Sequence, residues 1–135
     1  MPPEELLIDS SSWIEYLRGT AVGQEVATHL DAPELVTLNL AMAEISYILH
    51  RDLDDQEVID TNLDLIRLIS RIVNFTGEEA VKAGKIRAHF EQTEKRQVSY
   101  CDCIQIAVAQ TRGSKVLSKD RIFKEVPEGL YIGGD

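Results

Sequence analysis

The sequence predicts an α/β fold, a three-layer α/β/α sandwich around a central, mainly parallel sheet of four to five strands. Two observations carry this reading. Short runs of Leu, Ile and Val alternate along the chain with longer segments whose apolar residues recur every three or four positions. One of those longer segments, residues 99–112, is apolar almost all round, which marks an element packed in the centre of the molecule.

Leu6-Leu7-Ile8 reads as the first strand and ends at Asp9. Ser10-Ser11-Ser12 then offers N-caps for a helix running through Trp13, Ile14 and Leu17 to Arg18-Gly19. Residues 21–30 make a second helix, closed by Asp31-Ala32-Pro33. Leu35-Val36-Thr37-Leu38 is the second strand, and Asn39 caps a helix whose apolar positions are Ala41, Ile45, Ile48 and Leu49. Asp54-Asp55 opens a helix carrying Val58, Leu63, Ile66 and Leu68-Ile69, and Ile72-Val73-Asn74-Phe75 is the third strand. A helix over residues 78–93 buries Ala80, Val81, Ala83-Gly84, Ile86 and Phe90 before the charged segment Glu94-Lys95-Arg96-Gln97. The central helix stops at Gly113, a residue suited to the left-handed C-cap. Val116-Leu117-Ser118 and Leu130-Tyr131-Ile132 supply the last two strands. No linker, repeat or low-complexity tract interrupts this order, so residues 1–135 are expected to form one domain.

Composition narrows the function. Lys plus Arg number 14 against 23 for Asp plus Glu, a formal net charge of -9. Such a chain does not hold nucleic acid on a broad basic face, although a bound cation would bring acid and phosphate together. No apolar run approaches the roughly 20 residues of a membrane span, and the acidic start Met-Pro-Pro-Glu-Glu is unlike a signal peptide, so a cytoplasmic protein is expected. The two cysteines, Cys101 and Cys103, are placed for neither a disulfide nor, with His29, His50 and His89 scattered, a zinc site. They read as free thiols.

Four carboxylates sit badly for a soluble domain. Asp9 and Asp120 each follow a strand, Glu44 lies inside the apolar stripe of its helix, and Asp102 is in the first turn of the central helix. Each has an ordinary explanation. Asp9 can cap the first helix, Ser99 and Asp102 can form a capping box, Asp120 can start a turn, and Glu44 can pair with Arg51. Together they point elsewhere. Strand-end aspartates of a parallel sheet meet at one edge, where ligands of such sheets bind. Four like charges there would raise one another's pKa unless a hard divalent cation, Mg²⁺ or Mn²⁺, lay among them. Ser11 and Ser118, each two residues from a strand-end aspartate, are placed to hydrogen-bond this cluster. A serine nucleophile has no G-x-S-x-G elbow here, and the second aspartate that a haloacid-dehalogenase phosphatase needs is replaced by Ser11.

The segments Leu7-Ile8-Asp9-Ser10-Ser11, Ala43-Glu44-Ile45, Tyr100-Cys101-Asp102-Cys103-Ile104-Gln105-Ile106-Ala107 and Val116-Leu117-Ser118-Lys119-Asp120-Arg121-Ile122-Phe123 resemble the PIN domain, especially the VapC toxins of toxin–antitoxin pairs. The resemblance covers nearly the whole chain in order. It implies that Asp9, Glu44, Asp102 and Asp120 form the family's acidic quartet and ligate Mg²⁺ or Mn²⁺, with Ser11 and Ser118 as its small hydroxyl residues. One departure is Cys101, where the family usually has alanine. The implied activity is metal-dependent endoribonucleolytic cleavage of single-stranded RNA, with Arg18, Arg51, Lys119, Arg121 or Lys124 contacting the backbone. The implied partners are a small antitoxin with a basic C-terminal segment, lodged in a groove lined by Trp13, Ile14 and Leu17, and a second copy of the chain, met through helix surfaces such as that of Ile66 and Ile69. The alternatives are an RNA-processing PIN nuclease outside such a pair and a binding module that keeps the fold without turnover.

Overall fold

The computed structural model describes residues 4–134; Met1, Pro2 and Pro3, part of the acidic start noted above, lie outside that range, as does Asp135. The elements run β1 (Glu5–Ile8), α1 (Ser10–Arg18), α2 (Ala21–His29), β2 (Glu34–Leu38), α3 (Asn39–Asp52), α4 (Gln56–Ile69) and β3 (Arg71–Val73). They continue with α5 (Gly77–Thr93), α6 (Tyr100–Arg112), β4 (Lys115–Ser118), α7 (Ile122–Glu125) and β5 (Gly129–Tyr131). The five strands form one sheet in the order β3-β2-β1-β4-β5, and every pair is parallel.

Side chains alternate across a strand, so each strand feeds two cores. Leu6 and Ile8 of β1 pack with Leu35, Leu117 and the inner faces of α1 to α4, among them Trp13, Val26, Ile45 and Ile66. Leu7 faces the other way and joins Val36, Leu38 and Val116 beneath α5, α6 and α7, with Phe90, Ile106 and Phe123. These are the two outer layers of the expected sandwich. As its composition predicts, α6 buries Cys103, Ile106, Ala107, Val108 and Ala109. Trp13 is wholly enclosed, and its indole Nε1 donates to Thr37 Oγ1 at 2.9 Å, which satisfies the one polar atom of the ring.

Several expectations need correction. Asp9, not one of the serines after it, is the N-cap of α1, and Asn39 is the first residue of α3, capped by no side chain. On α4 the inner stripe is Ile59, Leu63 and Ile66, while Val58 and Leu68 turn outward, Leu68 with 84% of its surface exposed. On α5 the buried residues are Glu79, Ala83 and Phe90, whereas Ala80, Val81 and Gly84 face solvent. Burial of Glu79 follows from the helix start. Its carboxylate accepts from the Thr76 amide at 2.8 Å while the Thr76 hydroxyl accepts from the Glu79 amide at 3.1 Å, a complete capping box. The third and fifth strands begin one residue earlier than their apolar runs suggest, and the short helix α7 was not anticipated. Two glycines permit close approach: a Cβ on Gly23 would lie 2.1 Å from the Glu15 carbonyl oxygen, and one on Gly129 would lie 1.8 Å from that of Phe123.

Candidate active site

The strand order reverses direction between β1 and β4, and the crevice outside the carboxyl ends of those strands is where such sheets take ligands. Asp9 and Asp120 stand there because Asp9 directly follows β1 and Asp120 comes two residues after the end of β4. Asp9 is held in place by its own backbone, whose amide donates to the Leu117 carbonyl at 3.1 Å, tying it to β4. Asp120 is anchored through its amide, which donates to Ser118 Oγ at 3.0 Å. Asp102 enters from the first turn of α6, whose N-cap Ser99 accepts from the Asp102 amide at 3.1 Å. The Ser99 hydroxyl thus supplies the forward half of the capping arrangement, while the Asp102 carboxylate lies with the two strand-end acids.

Carboxylate oxygens of Asp9, Asp102 and Asp120 all lie within 4.8 Å of one another. Glu44, on α3, is nearby but outside this trio. It accepts from Ser10 Oγ at 3.1 Å, and the Cys101 thiol beside it partly offsets the rise in its pKa. It does not pair with Arg51, which instead binds Asp52 at 2.7 Å. Ser11 and Ser118 both reach Asp9: their hydroxyls donate to Oδ2 at 2.8 and 2.7 Å. Sequence reasoning therefore placed all six candidate residues at one sheet edge.

It missed Gln105. This residue, one turn after Asp102, is buried and donates Nε2–H to Asp9 Oδ1 at 2.6 Å. The signal available was a long amide inside the apolar stretch Ile104-Gln105-Ile106-Ala107. Asp9 Oδ1 also accepts from the Ser10 amide at 2.8 Å, the capping bond of α1.

Crowding of acids has an electrostatic signature. Burial, then the charges of Asp120 and Asp9, pushes Asp102 up to about 7. Burial and the Asp9 charge raise Asp120 to about 6, and Glu44 is raised mainly by burial. Desolvation and the neighbouring Glu44 carboxylate push the Cys101 thiol up to about 12, so it remains a neutral donor. Three oxygen donors at this spacing, reluctant to ionise together, are the ligand set that a hard divalent cation accepts.

Beside the acids a crevice of about 250 Å³ is lined by Ser10, Ser11, Ile14, Arg18, Arg51 and Lys119, and by Asp120. Through Ile14, Arg18 and Ile48 it continues into an apolar groove of about 310 Å³ bounded by Leu17, Leu49, Leu53 and Val58. Trp13, expected in that groove, is fully buried and takes no part. A larger concavity of about 590 Å³ opens beside α5, α6 and α7 around Ile86, Phe90 and Val126, and none of the four acids lines it. Size does not locate the chemistry here; the acids do.

Residues 6–129 match the family model described as the PIN domain. No curated protein gives a significant match. Among solved structures, VapBC2 from Rickettsia felis bound to a promoter DNA fragment superposes with a TM-score of 0.76 at 13% identity, covering 94% of this chain and 96% of that one. VapC20 of Mycobacterium tuberculosis, a toxin that cleaves the sarcin–ricin loop, gives 0.71 at 19% identity over 89% and 93%. A toxin–antitoxin complex from Klebsiella pneumoniae gives 0.73 at 14% identity over 93% and 95%. At these identities the structures speak for the fold. The family match begins in the first strand and ends in the last, with the acid-lined switch point between, and so the chain belongs to the PIN-domain family.

Proposed function

We propose that the protein is a Mg²⁺- or Mn²⁺-dependent endoribonuclease that cuts single-stranded regions of RNA in the cytoplasm, acting as the toxin of a VapBC-type pair. The observation that carries this reading is the set of three carboxylates, from Asp9, Asp102 and Asp120, within 4.8 Å of one another at the switch point. The raised pKa values of Asp102 and Asp120 support it, because acids so placed retain protons until a cation compensates their charge.

Asp9, Asp102 and Asp120 would hold the ion, with Glu44 holding a second one or orienting the attacking water. A divalent cation there supplies charge stabilisation for the phosphoryl oxygens and lowers the pKa of a bound water. Ser11 and Ser118 fix the Asp9 carboxylate through their hydroxyls. Arg18, Arg51 and Lys119 line the adjoining crevice, where they bind phosphates on either side of the scissile one. Lys119 is drawn into this task from an ion pair with Glu15 at 3.1 Å. Arg121 and Lys124 extend the cationic rim on the other side, where they line a second concavity with Arg96. The restriction to single-stranded RNA follows from the family resemblance. Protein freed of any inhibitor is expected to cut an RNA with unpaired loops in Mg²⁺ or Mn²⁺ and to stop on addition of EDTA. Cleavage unchanged by EDTA would sink the reading.

The same site fits an antitoxin partner, in keeping with the similarity to toxin–antitoxin complexes. A basic, amphipathic C-terminal segment would lay its apolar residues against Ile14, Leu17, Ile48 and Leu53 and carry an Arg to the acids, which it binds bidentately in place of a cation. Such a peptide is expected to inhibit cleavage with an affinity that falls as salt rises, and reversing its Arg to Glu should abolish inhibition. A reversed peptide that inhibits equally well would show that electrostatic occupation is the wrong mechanism. The reading also includes a homodimer. Ile66 is fully enclosed, so the contact would use outward side chains of α4 such as Leu65 and Leu68.

A further inference from the structure

Asp9 is saturated. Its Oδ1 accepts from the Ser10 amide and from Gln105 Nε2, and its Oδ2 accepts from the hydroxyls of Ser11 and Ser118. An ionised carboxylate offers about four lone-pair positions, and four donors fill them. A cation that ligates Asp9 therefore has to take the place of one donor.

The donors differ in how readily they leave. The Ser10 amide is fixed by the backbone of α1. Gln105 is buried in α6 with its amide already 2.6 Å from Oδ1. The two serine hydroxyls, by contrast, turn about a single bond, and they lie 3.3 Å from each other, so each has an alternative partner. Oδ1 is thus the held oxygen and Oδ2 the exchangeable one.

The other end of Gln105 is equally informative. Its Oε1 is a buried side-chain oxygen with no hydrogen-bond partner among the described residues. Flipping the amide would not cure this, because Oε1 would then press against the Asp9 carboxylate, acceptor on acceptor. A Met or Leu of similar shape would fill the same space in this apolar helix without burying an unpaired carbonyl. Packing gives no reason for glutamine at this position; the hydrogen bond to Asp9 does.

We propose that Gln105 is a positioning residue of the acidic centre: its amide clamps Asp9 Oδ1 so that Oδ2 is presented to the divalent cation, which displaces a serine hydroxyl. This rests on the cation-dependent reading of the site given above. The clamp also links β1 to α6, the element that carries Asp102, and so sets the distance between two of the ligands.

The test is Mn²⁺ binding by the whole protein without RNA, followed through the paramagnetic resonance signal of free Mn²⁺. Loss of a partner that orients a metal ligand weakens binding about 10–100-fold, so Gln105→Met is expected to raise the Mn²⁺ dissociation constant at least tenfold, with Gln105→His, which keeps an N–H donor, within about threefold of the parent. The melting temperature of metal-free Gln105→Met should stay level or rise, since an orphaned carbonyl has been removed. A purely structural role would lower that temperature and leave Mn²⁺ affinity alone. Should Gln105→Met fail to fold, Gln105→Leu carries the same comparison. If the parent binds Mn²⁺ and the apolar variant binds it equally well, the clamp is refuted while the cation reading stands. If the parent binds none, both fall.

Discussion

Asp102→Asn is expected to abolish RNA cleavage while leaving the metal-free protein as stable as the parent or more so. The carboxylate lies within 4.8 Å of those of Asp9 and Asp120, and its pKa near 7 records how unfavourable burial, and then the two neighbouring charges, make its ionisation there. An amide of the same shape removes that repulsion and keeps the backbone N–H that caps on Ser99. What it removes as well is a charged ligand. Losing an outer-shell partner of a metal site costs about 10–100-fold in affinity, so losing a ligand itself should cost at least about 100-fold. Mn²⁺ titration, a cleavage assay and melting curves in EDTA check the three parts separately. A large drop in melting temperature would instead mean that Asp102 serves chiefly as a helix-start residue, and the catalytic assignment would lose its best support.

Metal-free protein is expected to lose stability as pH rises from about 4 to about 7, the reverse of ordinary acid denaturation. The sign follows from proton counting. Asp102 titrates near 7 when folded and near its ordinary value of 3.8 when unfolded, so in that interval the folded state holds the extra proton. Stability from this group is complete below the unfolded pKa and is lost as pH passes the folded one. A shift of one pKa unit corresponds to 1.36 kcal/mol, so Asp102 contributes on the order of 2–4 kcal/mol to the change. Asp120 and Glu44 act in the same direction. Glu5, held low by Arg112, acts in the opposite one. The measurement is therefore the difference in unfolding free energy between parent and Asp102→Asn in EDTA across that pH range. Saturating Mn²⁺ should flatten the difference, because a bound cation stabilises the ionised form. A parent whose stability does not fall relative to the variant would contradict the crowding of charge at this centre.

Much of this centre was legible in the sequence because of one junction used twice. A strand that ends in an aspartate places the acid at the rim of a parallel sheet, and both Leu7-Ile8-Asp9 and Val116-Leu117-Ser118-Lys119-Asp120 have that form. Ser11 and Ser118 were legible by nearness to those acids. Gln105 was not, since a single amide in an apolar helix carries no periodic signal and its partner lies 96 residues away. The inward face of α4 is not legible for a related reason. Leu68 and Ile66 are equally apolar, and only packing against the sheet decides which turns inward. Nothing in the sequence marks Glu79, an acid in the first turn of its helix, as buried, yet the capping box pulls it under the helix end. With four residues, α7 is too short to show a period, and Gly129 betrays it only through the Cβ that the Phe123 carbonyl leaves no room for.

The strand order has a consequence for synthesis. β4 pairs with β1 across more than a hundred residues of intervening chain, and both Asp102 and Asp120 lie in the last third of the sequence. As the chain emerges N-terminus first, β1, β2 and β3 can associate early, but β1 keeps an unpaired edge until residues 115–118 arrive. Until then Asp9 has neither the carboxylate of Asp120 nor the hydroxyl of Ser118 beside it. A nascent chain that stops short of residue 120 therefore lacks the assembled acidic centre, and any activity built on that centre waits for its last acid.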